Sequence, residues 1–171
     1  MEYLPVILMG SFIISLILSL MSVYSKKSSM EIANEMGIGY NLGNLFECYS
    51  DSEKIITPND QITLLGNTIP TKKMITSIKK SGFKTIRFPI TWAHFIDDYG
   101  NINPDWMKRI KEVVDWIIDS SMYCIINIYN DATQDNWIFQ EKNAIDKYIN
   151  IWKQISNEFK IYDEHLILIN E

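Results

Sequence analysis

The sequence predicts an α/β fold with a parallel sheet, and two patterns carry that prediction. Short apolar runs of four to six residues alternate with longer segments in which apolar residues recur at helical spacing. Gly, Pro, Ser or Asn separates the two kinds of segment, as expected at turns and helix ends. This alternation is typical of βα units, which assemble into parallel sheets covered by helices.

Each predicted element follows from its local pattern. Four apolar runs bounded by turn residues predict strands at 37–42, 83–88, 123–128 and 166–169. Three segments with one apolar face predict helices at 70–81, 103–117 and 143–161. Asn103 followed by Pro104 is a strong start signal for the second helix. The polar stretch from Gly43 to Asn67 predicts a long surface loop.

The N-terminal segment predicts a signal or membrane anchor. No charged residue occurs from Tyr3 to Tyr24, a length that suits a hydrophobic helix crossing a bilayer. We therefore divide the chain into a signal or anchor at 1–27, a linker at 28–35 and a barrel domain at 36–171. Three possibilities remain open for this segment: an uncleaved anchor, a cleaved signal, or part of a soluble protein. We expect the protein to be membrane-anchored or secreted.

Charge and composition exclude several classes of function. The net charge of -5 and the scattered lysines argue against nucleic-acid binding. His94 and His165 lie far apart in sequence and no paired cysteine motif occurs, so we expect no metal and no cofactor. Cys48 and Cys124 fall near opposite ends of the predicted strands, which predicts free thiols rather than a disulfide.

Polar residues close the predicted strands. Arg87 lies near the end of the second strand, Tyr129 follows the third, and Asn170 and Glu171 follow the fourth. The carboxyl ends of parallel strands meet at one edge, where (β/α) barrels carry their active sites. A whole eight-stranded barrel needs roughly 250 residues, so a barrel formed by this chain is partial.

At these positions the sequence resembles glycoside hydrolase family five, the cellulase family. The resemblance covers about residues 36–171 and rests on motifs in the family's order: 39–44, 81–92, 106–110, 125–127 and 170–171. It implies the N-terminal half of a (β/α)8 TIM barrel with four parallel strands and three helices. It also implies a retaining β-glycanase similar to endo-β-1,4-glucanases, with a β-linked polysaccharide as substrate.

The resemblance also implies roles for individual residues. Glu171 matches the general acid/base, Asn170 the asparagine that binds the sugar 2-hydroxyl, and Arg87 the arginine that supports the nucleophile. Tyr129 and Asn130 stand where the family usually has two histidines. Both side chains can hydrogen-bond a sugar hydroxyl, but neither carries the charge of an imidazolium.

Three aromatic residues are further candidates for substrate binding. Trp92 and Trp137 follow the second and third strands and could stack on sugar rings, with simple loop packing as the alternative. Tyr40 lies in the first strand, and we expect it at the same edge of the sheet as Arg87.

Three hypotheses remain open. In the family the nucleophilic glutamate comes from a later strand, so we expect this chain alone to be an inactive part of a β-glycanase. The alternative is a non-catalytic barrel remnant that binds glycan or a partner chain. In the third hypothesis, the open edges of the partial sheet bind a second copy of the chain.

Overall fold

The described part of the protein contains a four-stranded parallel sheet in the order β1-β2-β3-β4. The computed structural model describes residues 27–50, 55–129 and 143–170, in two compact units divided between Asn34 and Glu35. The sheet belongs to the second unit, and its strands are β1 (Gly39–Asn41), β2 (Thr85–Phe88), β3 (Tyr123–Ile128) and β4 (Leu166–Asn170). The predicted α/β class and the sequential strand order are confirmed.

The three predicted helices are present and connect successive strands. The described helices are α1 (Ser29–Met36), α2 (Pro58–Thr63), α3 (Lys72–Lys80), α4 (Pro104–Asp119) and α5 (Ala144–Phe159), with a 3-10 turn at Ala93–Phe95. Asn103 caps α4, because its side chain accepts hydrogen bonds from the first backbone N–H groups of the helix. Helix α3 begins after the cap Thr71, so Pro70 precedes the helix instead of opening it as predicted.

Helix α1 occupies most of the segment predicted as a linker, and the sequence analysis missed it. Ser28 and Glu31 form a capping box: the Ser28 backbone N–H donates to Glu31 Oε2 at 2.7 Å, and the Glu31 N–H donates to Ser28 Oγ at 3.3 Å. A serine followed three residues later by glutamate is the sequence signal that predicts such a start.

The predicted signal or anchor, 1–27, lies outside the described residues except for Lys27. Among the helices of the described ranges, none is long and apolar enough to cross a membrane.

The predicted surface loop between β1 and α3 is wrong in part, because it contributes a helix and core residues. Helix α2 is held by a capping box between Thr57 and Asp60. Ile62 on this helix and Phe46 in the loop before it are fully buried. Buried Gln61 donates through Nε2 to the Phe46 carbonyl at 2.5 Å, which ties the helix to the loop.

The two faces of the sheet differ, and the strand register decides which residues share a face. Ile86 is in register with Cys124, and both are buried in the core beneath the helices. Trp106, Ile110 and Val113 of α4 belong to the same core cluster. Burying one such apolar side chain contributes about 1.5–3 kcal/mol, so this layer holds the βα units together.

The opposite face is the inner face of the barrel arc. Asn41, Arg87, Ile125 and Ile167 are in register across all four strands, and neighbouring residues in register project to the same side. This face therefore carries Arg87 towards the centre of the arc.

Both cysteines are free and buried, as predicted. Burial, with a smaller contribution from the Glu47 carboxylate, raises the pKa of Cys48 to about 11. Burial alone raises the pKa of Cys124 still further.

Candidate active site

Arg87 lies at the centre of the candidate site, near the carboxyl end of β2. Its Nη1 donates to Asn41 Oδ1 at 2.8 Å, and its Cζ lies 5.2 Å from the centroid of the Tyr129 ring. The first contact follows from register, since Asn41 is the partner of Arg87 in the β1–β2 ladder. The second is a cation–π contact with the residue that follows β3. The structure thus brings Arg87 and Tyr129 together, as predicted.

The loop after β1 contains features that the sequence analysis did not single out. Glu47 accepts backbone N–H bonds with both carboxylate oxygens, from Asn44 at 2.6 Å and from Leu45 at 3.1 Å. A Cβ at Gly43 would lie 2.6 Å from Asn41 Nδ2 and 3.0 Å from Glu47 Oε1, so a side chain there would displace these two groups. Glu47 therefore braces this loop beside Asn41. The glycine between Asn41 and Glu47 is the sequence signal for this close approach.

Tyr129 has its backbone held by the loop after β2. The Tyr129 N–H donates to the Ile90 carbonyl at 2.9 Å, and the Tyr129 carbonyl accepts from Thr91 Oγ1 at 2.8 Å. With both backbone groups bonded, the half-buried ring is kept beside the Arg87 guanidinium.

Trp92 does not lie open at the site, and the prediction that it stacks on a sugar ring is wrong. The side chain is fully buried in the core, and its Nε1 donates to the Asn127 carbonyl at 3.1 Å. An indole without an exposed face cannot contact a ligand. The structure shows the alternative, in which Trp92 serves loop packing.

The prediction that Tyr40 lies at the site with Arg87 is also wrong. It is in register with the buried Ile86, on the face of the sheet opposite to that of Arg87. Its ring packs edge-on against Phe83, with centroids 5.3 Å apart, in the layer between sheet and helices. One residue along the strand, Asn41 takes the position on the inner face.

The remaining predicted site residues are not described in full. Asn170 is the last residue of β4, in register with Ile128, and only its backbone is described. Asn130, Trp137 and Glu171 lie outside the described residues. Their roles stay predictions.

The described side chains can position groups and bind polar ligands. Arg87 presents a planar cation whose hydrogen-bonding geometry matches a carboxylate. Asn41 orients this cation, and Tyr129 lies against it. In the described ranges, no cluster of His, Cys, Asp or Glu could hold a metal ion.

Comparison with curated proteins places these features in a family. The chain is 41% identical over 148 residues to endoglucanase A of Clostridium longisporum, covering 84% of this chain and 28% of that protein. The chain spans less than half the length of the relatives it matches.

Solved structures match the fold in the same region. A broad specificity endoglucanase from an uncultured bovine rumen ciliate matches with a TM-score of 0.79 and 52% identity, over 84% of this chain and 40% of that one. A second one, from Ruminococcus champanellensis with bound cellotriose, matches with a TM-score of 0.77 and 33% identity, over 85% of this chain and 43% of the other.

The family described as cellulase (glycosyl hydrolase family 5) matches residues 48–171, which include β2, β3, β4 and the site residues Arg87 and Tyr129. The four parallel strands agree with part of a (β/α)8 barrel of this family. The resemblance inferred from the sequence motifs is confirmed, and the chain belongs to the cellulase family, glycosyl hydrolase family 5.

Proposed function

We propose that this chain supplies the N-terminal half of a retaining β-glycanase active site. The observation that carries the proposal is the guanidinium of Arg87, held by Asn41 and Tyr129 at the carboxyl edge of the sheet in a member of the cellulase family. In the proposed site Glu171 is the general acid/base, and a later strand of the barrel supplies the nucleophilic carboxylate.

The proposed chemistry assigns a task to each residue. Glu171 protonates the leaving oxygen, and the second carboxylate, about 5–5.5 Å away, attacks the anomeric carbon. Arg87 lies beside that carboxylate and lowers its pKa, which keeps it ionised and nucleophilic. Asn170 binds the sugar 2-hydroxyl, and Tyr129 and Asn130 bind hydroxyls of the same or the neighbouring sugar.

We propose β-1,4-linked glucan as the substrate class. The support is the similarity to endoglucanases, one of which has cellotriose bound in its solved structure. A β-linked glucan chain presents equatorial hydroxyls, which suit the neutral donors and acceptors of Tyr129 and Asn130.

A fusion of two half-barrels tests the proposal. The fusion barrel joins residues 36–171 of this chain to the portion of the ciliate endoglucanase that lies beyond the matched 40%. We expect it to release reducing ends from carboxymethylcellulose. Glu171→Gln should lower kcat by about 10²–10⁴-fold, because it removes the general acid/base. Glu164→Gln, the same substitution at an exposed residue before β4, is the matched control and should change little.

Three outcomes separate the hypotheses. Hydrolysis that is abolished by Glu171→Gln and Arg87→Ala but survives Glu164→Gln supports the proposal. A folded fusion barrel that binds cellotriose without hydrolysing glucan supports the non-catalytic glycan-binding alternative. The 171-residue chain alone, assayed in parallel, should show no turnover, and turnover that Glu171→Gln abolishes would contradict the need for a second carboxylate.

We also propose that the N-terminal segment makes the protein membrane-anchored or secreted. The support is the uncharged run from Tyr3 to Tyr24, long enough for a bilayer span. In cells, an anchored protein should stay with the membrane pellet after carbonate extraction. A soluble product that begins near Ser28 would show a cleaved signal instead, and full-length soluble protein would contradict both.

Self-association is proposed for the two sheet edges. Within the described residues β1 pairs with β2 alone and β4 with β3 alone, so each outer strand presents unpaired backbone groups. Sedimentation of the 171-residue chain should therefore show dimers, whereas the fusion barrel, with its edges covered, should be monomeric. If both the chain and the fusion barrel sediment as monomers, this proposal is contradicted.

A further inference from the structure

Thr91 is a buried polar residue at the junction of three βα loops. It is 1% exposed and lies in the loop after β2. Its backbone N–H donates to the Phe46 carbonyl at 3.0 Å, in the loop after β1. Its Oγ1 lies 2.8 Å from the Tyr129 carbonyl and 3.4 Å from the Glu47 carbonyl. A hydroxyl has one proton to donate, and the shorter distance assigns it to Tyr129.

The neighbours of Thr91 extend this connection between the ends of β2 and β3. The Ile90 N–H donates to Asn127 Oδ1 at 3.2 Å, and Trp92 Nε1 donates to the Asn127 carbonyl at 3.1 Å. The Tyr129 N–H returns a bond to the Ile90 carbonyl at 2.9 Å. Asn127 is 2% exposed, and Ile90 and Trp92 are fully buried.

These bonds act on the residue that contacts Arg87. The loop after β2 holds both backbone groups of Tyr129, and the Tyr129 ring lies 5.2 Å from Arg87 Cζ. Breaking a buried hydrogen bond costs free energy, so the position of the Tyr129 ring beside the Arg87 guanidinium depends on these bonds. Valine has nearly the shape of threonine and would fill the same space. Packing alone therefore does not require a hydroxyl at position 91, whereas the hydrogen bonds of Thr91 do.

We propose that Thr91 is a positioning residue of the active site, which sets the Tyr129 ring against Arg87 through its hydroxyl. This inference rests on the proposed function for its effect on catalysis. Thr91 itself touches no substrate in this scheme. It fixes the orientation of the Arg87 guanidinium and, through that cation, the nucleophilic carboxylate.

The test compares two substitutions in the fusion barrel. Thr91→Val removes the donor and keeps the shape, whereas Thr91→Ser keeps the donor. We expect Thr91→Val to lower kcat by about tenfold with little change in KM, because the loss falls on the transition state rather than on ground-state binding. Thr91→Ser should restore kcat to within about twofold of the parent. A purely structural threonine would lower the melting temperature without changing kcat per folded molecule.

Hydrogen exchange gives a readout that does not need activity. In Thr91→Val the amide of Tyr129 should exchange faster than in the parent and in Thr91→Ser, because its bond to Ile90 loosens. Equal protection in all three proteins, or equal kcat in the parent and Thr91→Val, would overturn the inference. If the parent fusion barrel is folded but inactive, the proposed function fails, and exchange at Tyr129 still decides whether Thr91 positions it.

A second variant tests the inference if Thr91→Val does not fold. Trp92→Phe keeps an aromatic ring in the core but removes the Nε1 donor to Asn127. We expect a smaller fall in kcat and a smaller gain in exchange at Tyr129. Unchanged kcat and unchanged exchange in Trp92→Phe, with Thr91→Val unfolded, would count against the inference.

Discussion

Asn41 should be needed to orient Arg87, and the size of its effect can be worked from the structure. The bond from Arg87 Nη1 to Asn41 Oδ1 is 2.8 Å long, a normal length for a charge-assisted hydrogen bond. Such bonds contribute about 1.5–3 kcal/mol, and the exposure of this pair reduces the value to about 1–2 kcal/mol. Since each 1.36 kcal/mol is a factor of ten in rate, Asn41→Ala should lower kcat/KM by about 5–30-fold.

The assay is release of reducing ends from carboxymethylcellulose by the fusion barrel, with substrate varied to separate kcat from KM. Most of the loss should appear in kcat, because Arg87 acts on the nucleophile and not on the bound sugar. Asn41→Asp keeps an oxygen acceptor for the guanidinium and should retain more activity than Asn41→Ala. Asn59→Ala, at an exposed position in α2, is the matched control.

Two results would refute this reasoning. Parent kcat/KM in Asn41→Ala would show that Arg87 is oriented without its partner on β1. Equal loss in Asn41→Asp and Asn41→Ala would show that the effect comes from the loop around Gly43 and not from the acceptor oxygen.

Three further predictions concern stability and reactivity. Cys48 and Cys124 should react slowly with a thiol reagent in the native protein at pH 8, because burial raises both pKa values; labelling as fast as in urea would contradict this. Trp106→Ala should lower the free energy of unfolding by about 3–5 kcal/mol in urea titrations, and Trp106→Phe by clearly less, because the Phe95 stack at 4.4 Å can persist. Hydrogen bonds from Asn101 lower the pKa of Asp97, so its ionised form stabilises the fold above about pH 4. The melting-temperature gap between parent and Asp97→Ala should therefore narrow as pH falls below that value, and a gap that widens would refute the sign.

The sequence predicted the elements whose signals are local. Helix α4 was predicted with its start, because Asn103 and Pro104 cap it and its apolar face repeats at helical spacing. Strand β3 was predicted at its observed bounds, since all of its residues except Asn127 are apolar or aromatic. Helices α1 and α2 were missed although each has a capping box, because the polar residues around them also suit a loop.

The site was predicted less well than the fold, and the two errors have different physical causes. Trp92 lies in the loop after β2, and its burial depends on tertiary packing, including the bond from Nε1 to the Asn127 carbonyl. The error for Tyr40 comes from the strand itself. In a strand successive side chains point to opposite faces, so an error of one residue exchanges a core position for a site position. Tyr40 was assigned to the site in this way, whereas its neighbour Asn41 is the residue in register with Arg87.

The sequence by itself determined the α/β class, the strand order, the family and the position of Arg87 at a strand end. Periodicity, capping residues and motifs are local features of the sequence, so each can be recognised without knowing the tertiary contacts. The tertiary structure alone decided that Asn41 bonds Arg87 and that Thr91 links three loops. These contacts join residues 46 and 38 positions apart, and only strand register and core packing bring such residues within hydrogen-bonding distance.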